Sequence, residues 1–238
     1  MTIIDSIKTS VLVPIHPAGT PFIAIFIILT VIIGWLWTPL YFIGFVLTIW
    51  CVYFFRNPNR ITPILSGANK NNLIIAPADG RVIEISEITP HDEIGLPNGN
   101  WKRVCIFMNV FDVHVNRSPM LGKITYKNYI PGLFFNASLD KASSHNERLI
   151  LGMDTENGKK IAFVQIAGLV ARRIICDVDI GSLLKAGDVF GLIRFGSRVD
   201  IYFPSDTSVL VLEGQKTIAG ETIIADFSKS NKSVKGQD

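Results

Sequence analysis

Two apolar blocks without a single charge stand near the front of the chain, and short alternating runs fill the rest. Residues 22–37 read Phe-Ile-Ala-Ile-Phe-Ile-Ile-Leu-Thr-Val-Ile-Ile-Gly-Trp-Leu-Trp, and residues 40–55 form a second run that ends at Arg56. Thr38-Pro39 breaks the pattern between them. Each run holds about 16 residues, slightly under the ~20 that cross a bilayer as a straight helix. Together they predict an N-terminal hydrophobic helical hairpin within residues 1–56. Trp35, Trp37 and Tyr41 gather at its break, as interfacial aromatics do. A core helix pair of a soluble domain is the alternative, and it would need an apolar cover over every face. The first twenty residues lack the basic start and the small-residue cleavage site of a secretory signal.

Asn57 to Asn72 is rich in Pro, Asn and Gly and reads as a linker. Beyond it no helical period is sustained. Strand-like runs recur every 8 to 12 residues with Gly, Pro and Asn turns between them, which predicts a mainly β domain of barrel or sandwich type over residues 73–227. Leu73 to Ile85 reads as strand, turn and strand around Pro77-Ala78-Asp79-Gly80. Asn157-Gly158 marks a hairpin between Arg148–Met153 and Lys160–Ile166. Residues 228–238 are polar and read as a flexible tail. The turns at Pro77–Val82, Lys185–Gly191 and Glu213–Gly220 resemble those of lipoyl- and biotinyl-carrier hammerheads, which supports the architecture more than a function.

Composition narrows the picture. The chain has 238 residues, 48% of them hydrophobic, and the apolar excess sits at one end. A net charge of +3, with no basic run interleaved with aromatics, gives no nucleic-acid footprint. The mild positive balance suits an anionic leaflet. Arg56 and Arg60, with Lys70 further on, follow the second apolar run, so the positive-inside rule places the β domain on the cytoplasmic side of the cell's inner membrane. Cys51, Cys105 and Cys176 are far apart and form no CxxC pair, which reads as buried thiols in a reducing compartment. No Cys and His spacing suits a metal, and none is expected.

The candidate chemistry sits late, at Gly191-Leu192-Ile193-Arg194-Phe195-Gly196-Ser197-Arg198-Val199-Asp200. A buried strand meets Gly196-Ser197 and then resumes as Val199, Ile201 and Phe203. Glycine weakens a strand and packs nothing, so its presence there asks for a reason. A β-bulge or tight turn is one. The other is chemical: the Ser197 hydroxyl can attack the Gly196 carbonyl if a base takes its proton. Of the four histidines, His16 lies in the leader, His91 beside Asp92 and Glu93, and His145 in a polar loop. His114 stands in an apolar strand between Val113 and Val115, as a satisfied core residue or as that base. Asp79 alone is a turn residue.

Taken together, these words resemble a family. Phe54-Phe55-Arg56-Asn57-Pro58, Ala76-Pro77-Ala78-Asp79-Gly80, Phe111-Asp112-Val113-His114-Val115-Asn116-Arg117, Ala137-Ser138-Leu139-Asp140-Lys141-Ala142 and Ile166–Ile174 look like the short form of phosphatidylserine decarboxylase, the archaetidylserine decarboxylase-like branch. Arg194-Phe195-Gly196-Ser197-Arg198-Val199-Asp200 is the most specific of them. The resemblance implies a proenzyme that cuts itself between Gly196 and Ser197. The products would be a β chain of residues 1–196 and an α chain of residues 197–238, joined as a heterodimer or a dimer of these. Ser197 would become a pyruvoyl group whose carbonyl condenses with the amine of a serine phospholipid and accepts the electrons freed as CO2 departs. Asp79 and His114 would act with Ser197 in self-cleavage, and His114 would return a proton after decarboxylation. Longer family members carry a second histidine where this chain has Arg117, so His114 would serve both steps.

A diacyl substrate stays in the bilayer, which the apolar front suits. Ile130, Leu133, Phe134 and Phe135 read either as an interfacial lip or as a buried strand edge. Asp140, Lys141 and Arg148 could hold the phosphoserine head group or simply be solvated. The competing reading is a non-catalytic, membrane-anchored lipoyl-like carrier or adaptor. It calls for a lysine at a hairpin tip or a heptad stalk, and neither stands out in the sequence.

Overall fold

The structure is a computed structural model that describes residues 13–65, 71–135, 137, 145–168, 173–194 and 196–230. The chain divides into two units, Met1–Asn59 and Arg60–Asp238.

In the first unit, a single turn at Pro17–Gly19 opens helix α1, Thr20–Leu36, with His16 Nδ1 accepting from Ala18 N at its start. Trp37 is extended, and Pro39 begins helix α2, Pro39–Phe54. The break therefore falls where the Thr-Pro pair predicts it, because proline fits only the first turn of a helix. The helices close on one another where side chains are small: a Cβ on Gly44 would sit 2.5 Å from Thr30 Oγ1. Thr30 Oγ1 donates to Phe26 C=O and Thr48 Oγ1 to Gly44 C=O, and the two hydroxyls meet at 3.3 Å. His16 N donates to Phe55 C=O and Asn57 N to Pro14 C=O, so the chain enters and leaves the hairpin at one end. Its outer faces carry Ile28, Val31, Phe42 and Phe45, all exposed. The helix over Pro17–Leu36 is long and apolar enough to cross a membrane.

The second unit is built from strands, and the described residues are 41% strand against 20% helix, the mainly β class that the pattern predicts. In chain order the strands are β1 Leu73–Ile75, β2 Gly80–Ile88, β3 Trp101–Met108, β4 Val115–Arg117, β5 Gly122–Ile130, β6 Arg148–Thr155 and β7 Lys160–Ala167. There follow β8 Ile174–Cys176, β9 Leu183–Leu184, β10 Val189–Ile193, β11 Ser197–Pro204, β12 Thr207–Val209, β13 Lys216–Thr217 and β14 Ile223–Ser230. The last strand thus takes in three residues of the segment read as a tail. A curled eight-stranded sheet runs β13-β2-β3-β11-β7-β6-β5-β9, and two three-stranded sheets run β4-β10-β8 and β1-β14-β12.

Strand β11 is central, paired antiparallel to β3 on one side and β7 on the other. Its alternation is carried by the residues themselves. Val199, Ile201 and Phe203 enter the main core with Ile106, Met108, Phe163 and Phe190. Arg198, Asp200 and Tyr202 alternate with them, and Tyr202 packs with Ile150, Val164 and Ile166 in a second cluster. The chain leaves β10 in one sheet and enters β11 in another across residues 194–196. The Gly-Ser pair lies at that change of sheet.

Candidate active site

Three strands deliver the site. Strand β10 ends just before Gly196, β11 begins at Ser197, and β4 is preceded by His114. Ile193 N donates to His114 C=O at 3.3 Å, which holds the start of β4 against the end of β10. Gly196 has φ +69°, the left-handed region, although a Cβ there would meet nothing within 4 Å. The glycine is therefore required by its backbone conformation and not by crowding.

Crowding acts one strand away. A Cβ built on Gly168, just past β7, would stand 2.0 Å from the Gly196 carbonyl oxygen. Gly168 thus forms a bare backbone wall against that carbonyl. The wall is pinned by Asn146, which is fully buried. Asn146 Nδ2 donates to Ala167 C=O at 2.7 Å and to Phe135 C=O at 2.8 Å, while Asn146 Oδ1 accepts from Phe135 N.

His114 is fully buried and lies at the dipeptide. Its Nε2 accepts from Gly196 N at 3.3 Å, and its Nδ1 stands 3.0 Å from Asp112 C=O. An acceptor at Nε2 assigns the ring proton to Nδ1, which donates to the carbonyl. Asp112 is itself fixed, its Oδ2 accepting from Asn109 N. The imidazole therefore stands beside Gly196 with its Nε2 lone pair engaged by the Gly196 N–H, and it can serve as a base for the neighbouring residue once that contact is released.

Ser197 is fully buried, and its Oγ lies 4.0 Å from Met108 Sδ, a weak acceptor. The sulfur also receives Asn116 Nδ2 at 3.6 Å, and Asn116 Oδ1 accepts from Gln165 Nε2 at 2.8 Å. The cluster sets a buried hydroxyl and a buried imidazole beside the Gly196 carbonyl. It fits the origin of a pyruvoyl group, which needs a serine preceded by an attackable carbonyl.

The remaining sequence candidates have partners of their own. Asp79 accepts from Arg60 Nη2 with both oxygens, at 3.0 and 2.8 Å, and from Ala219 N at 2.8 Å. Its turn joins β4 through Arg117 N donating to Pro77 C=O. Burial and then Arg60 pull the Arg117 guanidinium below its ordinary range, while Asp79, Glu221 and Asp188 work the other way. Arg148 donates to both Glu93 oxygens at 2.7 and 2.8 Å and is itself buried. Asp140 and Lys141 lie outside the described residues. Of the proposed lip, Leu133 and Phe135 are exposed, Phe134 packs on the main core and Ile130 on the second cluster. Among the described residues no group of three His, Cys, Asp or Glu gathers as a metal site would require.

Sequence reasoning did not single out Gly168, Asn146, Asn116, Gln165 or Arg60 as site residues. Gly168 lies inside one of the recognisable words, but its meeting with Gly196 is set by the β7–β11 pairing. Compared with known protein families, residues 47–225 match the model described as phosphatidylserine decarboxylase.

Proposed function

Since the chain belongs to the phosphatidylserine decarboxylase family, we propose that it matures by cutting itself at Gly196–Ser197 and then decarboxylates a serine phospholipid at a membrane surface. One contact carries the reading: His114 Nε2 stands 3.3 Å from the amide nitrogen of Gly196, next to a buried serine.

Ser197 Oγ attacks the Gly196 carbonyl carbon and gives its proton to His114 Nε2. The amide becomes an ester, and the Ser197 nitrogen becomes an amine. Loss of the Ser197 Cα proton then expels Gly196 as a carboxylate and leaves a dehydroalanine. Water replaces the nitrogen, which departs as ammonia, so one water enters for each ammonia released. The pyruvoyl group so formed supplies an electron sink for the bond that breaks as CO2 departs.

The residues around it have defined tasks. His114 Nε2 holds the proton that the substrate carbon needs once CO2 has left, and Asp112 C=O keeps the ring in the tautomer for it. Strands β3 and β7 flank Ser197 and exclude water. Asp79, anchored by Arg60, contributes a carboxylate beside Arg117, the position where longer family members carry a second histidine. The apolar hairpin tethers the protein to the bilayer, and exposed Leu133 and Phe135 dip into the interface. By the positive-inside rule the β unit faces the cytoplasm.

The test uses the purified full chain on phosphatidylserine vesicles. It should release CO2 and form phosphatidylethanolamine, and prior borohydride reduction of the carbonyl should abolish both. Protein that is fully cut yet releases no CO2 from these vesicles would overturn the proposed reaction.

A further inference from the structure

One line of buried polar groups is left over from this account. Gln165 on β7 and Asn116 on β4 are 1% and 0% exposed. Gln165 follows the alternation of Ile161 and Phe163 into the main core, and it pairs in register with Val199. Its Nε2 donates to Asn116 Oδ1 at 2.8 Å. Asn116 Nδ2 in turn addresses Met108 Sδ at 3.6 Å, and the same sulfur faces Ser197 Oγ at 4.0 Å. Gln165 Oε1 has no hydrogen-bond partner among the described residues.

As stability, this chain is poor value. An unsatisfied amide oxygen in an apolar core is destabilising, and a thioether is a weak acceptor for an amide. Leu or Met would fill the same volume without that cost. The line does have an end point, however, and it is the nucleophile. Met108 and Ser197 are direct partners across β3 and β11, so whatever orients the Met108 side chain decides what the Ser197 hydroxyl meets.

We propose that Asn116, oriented by Gln165, is a positioning residue for self-cleavage that holds the Met108 thioether against Ser197 Oγ. The hydroxyl is thereby denied a strong acceptor in the resting precursor. A serine that donates to a carbonyl must break that bond before its proton can move to His114 and its oxygen can attack Gly196. A serine facing sulfur has little to break. The inference rests on self-cleavage at Gly196–Ser197 but concerns its rate and not its occurrence.

The experiment follows freshly synthesised full-length precursor by gel, alongside thermal melting of the same substitutions in an uncut Ser197→Ala background. Asn116→Leu with Gln165→Leu should melt no lower than its background, because the orphaned oxygen is gone. It should nonetheless cleave on the order of fivefold more slowly, the equivalent of one hydrogen bond. Met108→Gln, which offers Ser197 an amide oxygen, should also slow cleavage, and Met108→Leu should restore it to near the native rate. A purely structural role predicts the reverse: a lower melting temperature and, in the folded fraction, an unchanged half-time. That outcome, or native-rate cleavage in Met108→Gln, overturns the proposal. A wild-type precursor that never cuts overturns the underlying reading instead.

Discussion

At the level of single residues, the account turns on which atoms touch the Gly196–Ser197 peptide. His114→Ala removes the proposed base at Nε2, and the expected result is precursor that folds but stays as one band on a denaturing gel. Gly168→Ala is a sharper test because it adds one methyl group and no chemistry. Its Cβ would lie 2.0 Å from the Gly196 carbonyl oxygen, so the carbonyl or the β7 end must move. Cleavage should slow roughly 10- to 100-fold, the cost of misplacing a reacting group by about an ångström. A native half-time in that variant would show that the wall has no part in the reaction. That His114 lies beside Gly196 could not be read from local pattern, which allowed a β-bulge and a core histidine equally; the family resemblance pointed to these residues, and the fold brings them to 3.3 Å. Gly168 and Asn116 break no local rule. Their importance arises from partners about thirty and eighty residues away along the chain, which only strand register reveals.

Among the elements, β11 carries the most. Beside Ser197 it buries Arg198, whose Nε and Nη2 bind the two Asp200 oxygens at 2.5 and 2.7 Å, both residues fully enclosed. Although burial works against the charge, Asp200 holds the Arg198 proton more tightly than usual. Arg198→Met strips the buried Asp200 carboxylate of its hydrogen-bonded partner and should cost about 3–5 kcal/mol in a denaturant titration. The neighbouring strands titrate too. Burial pushes the Glu84 carboxyl up, but the nearby Ser86 hydroxyl and the Arg103 guanidinium, which donates to Glu84 Oε1, prevail and hold it below its usual range. A carboxylate lowered in the folded state stabilises above its unfolded pKa and loses that contribution as pH falls through the folded one. The stability gap between wild type and Glu84→Gln should therefore be widest near neutrality and close in acid; a gap independent of pH would refute the assignment. Burial, with Asp200 next, raises the Cys105 thiol well above the ordinary range, so it should resist alkylation at mild alkaline pH until the protein unfolds. The alternating runs announced most of these strands. The Arg198–Asp200 pair was not legible, since Arg and Asp in a strand read as a solvated face until both are seen to be fully buried.

For the whole molecule, the proposed cut would fall inside one woven unit. Residues after the cut supply β11 to the middle of the eight-stranded sheet, β13 to its edge and β12 and β14 to another sheet with β1. The two products should consequently copurify under native conditions and part only in denaturant, and separation on a native column would contradict the topology. The apolar hairpin should keep the protein in the membrane pellet through carbonate extraction. That hairpin was the easiest feature to read, because an uncharged run needs no partner to be recognised. The head-group contacts were the hardest. Arg148 is engaged by Glu93, a pairing set by the fold, and Asp140 and Lys141 fall outside the described residues.

The most direct measurement is the intact mass of the purified protein with sequencing from its chain ends. The account predicts two species, one ending at Gly196 and one beginning at position 197 with a ketone in place of an amine, blocked to Edman degradation. A single uncut chain of 238 residues with an ordinary Ser197, in protein that decarboxylates its lipid, would contradict it.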